Sequence, residues 1–114
     1  MSQKPSARPI IVCLCGSTRF VEAFQLANLQ ETLAGHIVLS IGSNKSDTDL
    51  MALGQLTEDK KAMLDELHQR KIDLADEVLV LNVGGYIGSS TRSEIEYARQ
   101  RGKAIRWLEP GQAG

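Results

Sequence analysis

The sequence predicts a single α/β domain built on a parallel sheet, and three observations carry that expectation. Short apolar runs recur at Ile10–Leu14, His36–Ile41, Val78–Val83 and Ala104–Leu108, each the length of a strand covered on both faces. Between them lie segments whose apolar residues repeat at helical spacing. The resulting βαβαβαβ alternation is the pattern of parallel strands joined by right-handed crossovers, with helices on both faces of the sheet.

Taken in order, residues 1–9 are polar, contain Pro5 and Pro9, and read as a flexible arm. Strand one, Ile10 to Leu14, runs into the turn Cys15-Gly16-Ser17-Thr18-Arg19. A first helix is expected from about Arg19 to Leu33, where Phe20, Ala23, Phe24 and Ala27 share a face and Gly35 stands near the stop. Strand two is followed by Gly42-Ser43-Asn44-Lys45-Ser46-Asp47, all turn formers and polar groups, so a loop reaching to about residue 56 is expected. Thr57-Glu58-Asp59-Lys60 reads as a capped helix start, with Met63, Leu64 and Leu67 as a core stripe and an end near Leu74. Strand three leads through Gly84-Gly85-Tyr86-Ile87-Gly88 into a helix from about Ser90 to Arg101, which Gly102 stops before the last strand. The domain is expected over 10–109, with a polar tail over 110–114.

At 114 residues the chain buries roughly two-thirds of its unfolded surface, which suffices for one modest core. Thirteen basic residues balance fourteen acidic ones, so no global field draws the protein to a nucleic acid polymer or an anionic membrane, and any anion site must be local. No apolar stretch approaches the roughly 20 residues of a membrane span, and the opening segment lacks a signal-peptide core. Cys13 and Cys15 lie two apart on one strand face, where they cannot comfortably bridge, and they form neither a CxxC motif nor a metal quartet. The expectation is a reduced, cytoplasmic protein without a metal site, the two histidines falling in different elements. A four-stranded sheet leaves an edge or helix face to protect, so a homodimer is expected.

Two loops carry the functional signal. In the first, Gly16, Ser17, Thr18 and Arg19 offer backbone N–H groups, hydroxyls and a two-pronged guanidinium to an anion. The sequence matches neither a Walker A loop nor GxGxxG, and the plainer reading makes Ser17 or Thr18 a helix cap. The second loop runs after strand three, from Asn82 through Gly85 and Tyr86 to Ser89 and Ser90. If strands one and three are neighbours, as in the flavodoxin-like order 2-1-3-4, the two loops face one another and one nucleotide-sized molecule touches both. Glu94, one turn into the last helix, is the first candidate for chemistry, although Thr91-Arg92-Ser93-Glu94 also fits a capping box. Glu96 lies about 200° further round and cannot share its cleft, while Ile95 and Ala98 should face the sheet. Asp65 and His68 share a helix face and either adds a polar group to the cleft or is an ordinary surface residue.

Cys15-Gly16-Ser17-Thr18-Arg19, Ala75-Asp76 at strand three, and Glu94-Ile95-Glu96-Tyr97-Ala98 followed by Gly102-Lys103 resemble the nucleoside 2-deoxyribosyltransferase superfamily, which includes the nucleoside 5'-monophosphate N-glycosidases. The resemblance implies a flavodoxin-like three-layer sandwich with a parallel sheet of four to five strands. It implies an enzyme that cleaves or transfers an N-glycosidic bond through a glutamate nucleophile and a covalent sugar intermediate, with no cofactor. Glu94 matches the nucleophile of an E-[IL]-G-x-A motif whose glycine position is Glu96 here, and the family's supporting aspartate maps near His68, with Asp65 one turn earlier. A carboxylate near a helix N-terminus is expected to stay ionised. Ser89, Ser90 and Thr91 replace the family's glycine-rich approach, and Arg19 beside Gly16-Ser17-Thr18 favours a substrate carrying a 5'-phosphate. The alternative is a non-catalytic nucleotide-binding or sensing module with the same cleft.

Overall fold

The computed structural model of the chain describes residues 8–42 and 45–110. The elements are β1 (Ile11–Cys15), α1 (Val21–Leu33), β2 (Ile37–Leu39), α2 (Asp47–Ala52), α3 (Glu58–Leu74), β3 (Glu77–Val80), a 3-10 turn over Val83–Gly85, α4 (Ser89–Gln100) and β4 (Ala104–Trp107). All pairings are parallel and the order is β2-β1-β3-β4, a four-stranded flavodoxin-like sandwich. β1 therefore sits inside the sheet, and the loop that leaves it lies beside the loop that leaves β3.

Side-chain alternation along β1 divides the core in two. Val12 and Leu14 pack with Leu79 and Leu81 against Phe24 and Ala27 of α1. Cys13 and Cys15 point the other way, joining Val78 and Val80 against Ile72 of α3 and Ile95 and Ala98 of α4. Ile95 and Ala98 thus face the sheet as their spacing predicts. Gly102 follows α4 with φ +71°, a conformation only glycine adopts freely, so the helix stops and the chain turns into β4.

Two expectations are corrected. The segment read as a loop contains α2, which begins because the Ser46 hydroxyl accepts from the Asp49 N–H at 3.1 Å; residues 43 and 44 of that segment lie outside the described residues. α3 starts at Thr57 as predicted, its hydroxyl accepting from the Lys60 N–H at 3.2 Å, but Met63, Leu64 and Leu67 are not its core stripe. Those three are exposed and His68 and Ile72 are buried, because only the second half of the helix lies on the sheet. Of the arm, Arg8 is described: its guanidinium donates to both oxygens of Asp76 at 2.6 and 2.7 Å, while Asp76 also accepts from the Ile11 N–H. Arg8 and that backbone bond hold the Asp76 carboxyl far below the usual carboxylate range. The rest of the arm, 1–7, and of the tail, 111–114, lies outside the described residues. Among the described residues no helix is long and apolar enough to cross a membrane.

Candidate functional site

A cleft of about 490 Å³ opens at the carboxyl ends of β1 and β3, between the loop after β1, the segment from β2 into α2, one side of α3, and the start of α4. This is the position an open parallel sheet offers to a ligand, and the volume falls in the range of about 300–1,000 Å³ common for small-molecule sites. Gly16, Ser17, Thr18, Asp65, His68, Tyr86, Ser89, Ser90 and Glu94 line it, so both sequence-predicted loops and the predicted acids meet there.

The first loop depends on Gly16. A Cβ at that position would stand 3.0 Å from Leu81 Cβ and 3.3 Å from the Leu81 carbonyl oxygen, so any larger residue would push the end of β3 back by a few tenths of an ångström. Neither Ser17 nor Thr18 caps α1, which begins after Phe20 without a side-chain cap. The Ser17 hydroxyl accepts from the Arg19 N–H at 3.3 Å, and Thr18 Oγ1 accepts from the Asp47 N–H at 2.9 Å, tying the loop to the start of α2. Arg19 does not line the cleft. Its guanidinium stacks 4.4 Å from the centre of the Tyr86 ring, which packs edge-to-face on Phe20, so Arg19 backs the Tyr86 wall.

Asn82 and Gly85 are also placed elsewhere. The buried Asn82 amide donates to the Glu109 carbonyl oxygen at 3.1 Å and accepts from the Glu109 N–H at 2.9 Å, while the Glu109 carboxylate accepts from the Gly84 N–H. This turn fastens the end of β4 to the end of β3. Glu109, the last residue of the expected domain, is part of that fastening.

The capping-box reading of Glu94 fails because α4 starts three residues earlier than such a box requires. Gly88 is the N-cap, with no side-chain cap bond, and Thr91 is a buried residue within the first turn. Glu94 therefore projects into the site. Its Oε1 is buried without a hydrogen-bond partner and lies 3.8 Å from His68 Nε2. The expectation of an ionised carboxylate is corrected: burial raises the Glu94 pKa to about 7, against the opposing pull of His68. A residue in the second turn is beyond the strongest part of the helix dipole, which leaves burial dominant.

His68 reaches the site from the buried stretch of α3. Its Nε2 lies 3.4 Å from Cys15 Sγ and 3.7 Å from Cys13 Sγ. Burial opposes its charge, but the Cys13 contact and Glu94 outweigh burial and raise its pKa. Of the two thiols, Cys13 is lowered, chiefly by a hydrogen bond from Cys15, and Cys15 is raised well above the usual thiol value. Asp65 stands at the exposed rim, 3.5 Å from Lys61 Nζ. The expectation of no metal constellation is corrected in one respect, since Cys13, Cys15 and His68 bring three buried ligand atoms within 4.8 Å of one another.

Sequence reading missed Lys61 and Lys71, which line the same cleft. Lys61 pairs with Asp47 Oδ2 at 3.4 Å, and Lys71 donates to the Ser40 carbonyl oxygen. The signal was available: Lys61, Asp65, His68 and Lys71 follow one another at three- and four-residue steps, a single stripe of α3. No protein-family model and no curated protein sequence matches the chain, so the family resemblance stands on the motif residues alone.

Proposed function

We propose that the chain cleaves or transfers the N-glycosidic bond of a nucleoside or nucleoside 5'-monophosphate, with Glu94 as nucleophile. The observation that carries this reading is the Glu94 carboxylate, one oxygen buried and unpartnered, in a cleft of ligand size between a glycine-hydroxyl loop and a helix N-terminus. A buried acceptor left without a donor is costly, and a bound substrate gives it a role. In this reading an Oε attacks the anomeric carbon, the C–N bond breaks, and its electron pair leaves with the base. Asp65 or His68 supplies the proton the base takes up. Water or a second base then attacks the same carbon and releases Glu94.

The binding roles follow from the lining. The first turn of α4 begins at Gly88 without a side-chain cap, so its backbone N–H groups, with Ser89, Ser90 and Ser17, offer donors to a 5'-phosphate or to sugar hydroxyls. Tyr86, backed by Arg19, presents a wall for the base.

Free-base release from a panel of ribo- and deoxyribonucleosides and their 5'-monophosphates, followed by chromatography, tests the reading. The expected result is release from monophosphates that falls by roughly 10³-fold or more in Glu94→Ala. Silence across the panel, with and without an acceptor base, overturns it; retained nucleotide binding in the same silent protein identifies a binding module instead.

A further inference from the structure

Beneath the cleft, three side chains from two distant elements converge on one point. Cys13 and Cys15 project from the same face of β1, and His68 descends onto them from α3, 53 residues further along the chain than Cys15. Both sulfurs approach the same atom, His68 Nε2, and Glu94 Oε1 approaches it as well. A ring nitrogen has one proton or one lone pair, directed along one line in the ring plane, so it satisfies one partner of the three. Glu94 Oε1 remains without any. A cation among the two sulfurs and Nε2 satisfies those three atoms together.

We propose that Cys13, Cys15 and His68 bind a zinc-class divalent cation through three protein ligands. The spacing supports the assignment. Metal–sulfur bonds of about 2.3 Å and a metal–nitrogen bond of about 2.0–2.1 Å at the tetrahedral angle put sulfur and nitrogen about 3.5–3.6 Å apart. The observed separations are 3.4 and 3.7 Å. Glu94 Oε1 lies 3.8 Å from Nε2 but outside the group of three ligand atoms within 4.8 Å of one another, so the fourth position is left open to water, as at sites with three protein ligands. Two thiolates and one imidazole are the soft-to-borderline donor set that selects this class of ion over magnesium or calcium. Binding requires both thiolates and a neutral His68, so whatever protons the sulfurs and Nε2 carry go to solvent, and the two thiolates balance the ion's two positive charges. His68 and Glu94 line the cleft, so the ion has a route from solvent.

The metal site stands independently of the glycosidase reading.

The full-length chain, reduced and stripped of metal with chelator, is titrated with Cd²⁺ while the ultraviolet thiolate-to-cadmium absorption is followed. The expected result is saturation at one equivalent, displacement by Zn²⁺, about half the absorbance in Cys13→Ser, and at least tenfold weaker binding in His68→Gln, the loss typical of a removed metal contact. Because the chain has only two cysteines, one equivalent of Zn²⁺ should also protect both from a thiol reagent in the native protein, a readout that needs no variant. Absorption that does not saturate at one equivalent, binding indifferent to His68→Gln, or thiols equally reactive with and without Zn²⁺ overturns the site. Base release is a separate readout, so failure of the glycosidase reading leaves this result intact.

Discussion

The two faces of the sheet are made by the same strands and differ in kind. Toward α1, Val12, Leu14, Leu79 and Leu81 meet Phe24 and Ala27, a dry apolar layer without a buried titratable side chain among its members. Toward α3 and α4, the alternate positions of β1 are thiols, and the helices add His68, Thr91 and Glu94. One helix closes the first face. The second is closed by two, and the cleft opens where the first half of α3 stands clear of the sheet. The comparison teaches that stability and chemistry are segregated by side-chain alternation: shifting β1 by one residue would exchange the two.

Substitutions on the two faces should therefore move opposite observables. Leu14→Ala removes a fully buried side chain from the dry layer and should cost about 3–4 kcal/mol in urea unfolding. Glu94→Gln, on the other face, should leave unfolding free energy within about 1 kcal/mol, because a neutral amide replaces a carboxyl group that burial already disfavours in its charged form. The same variant should lose base release. Strong destabilisation by Glu94→Gln, or normal stability in Leu14→Ala, would break the segregation.

A smaller effect belongs to the rim of the α1 side. Glu31 accepts from Arg106 Nη2 at 2.6 Å and contacts His36 Nδ1 at 2.8 Å, joining α1 to β4 and to the start of β2. The Arg106 hydrogen bond, with His36 adding to it, lowers the Glu31 pKa. A carboxyl group whose folded pKa is depressed contributes stability that is complete above the unfolded value of about 4.3 and is lost as pH falls through the folded value. Stability of the native chain should accordingly fall between about pH 5 and pH 3 more steeply than that of Glu31→Gln, as read by denaturant midpoints across that window. Parallel curves would remove Glu31 as a source of acid sensitivity.

The smallest effect sharpens the picture of α3. Thr57→Ala deletes the N-cap of a helix whose first half lies clear of the sheet, so it should cost about 1 kcal/mol and act mainly on the first turn. Hydrogen exchange should quicken at the amides of residues 60 and 61 and remain unchanged near Ile72, where the helix is buried. Quickening at Ile72 as well would mean that α3 opens as a unit.

Much of this protein is set by local rules that a linear chain displays. Apolar runs of strand length, helical spacing at Phe24 and Ala27, the Thr57 cap and Gly102 are decided within a few residues of themselves, and together they determine the α/β class and the order of elements. The strand order 2-1-3-4 follows once β1 and β3 are neighbours, and so does the meeting of the two loops. α2 was legible only in part, because Ser46, Asp47 and Asp49 serve a turn and a helix cap equally well. The rest required distance in sequence to become nearness in space. The Met63, Leu64 and Leu67 stripe looks like core until α3 is seen to meet the sheet only from His68 onward. Arg19 looks like an anion grip until Tyr86 takes its guanidinium, and Asn82 looks like a site residue until Glu109 takes its amide. Cys13 and Cys15 read as inert core until His68 and Glu94 arrive from helices more than fifty residues away, because periodicity reports which face a side chain takes and only packing decides what it meets there.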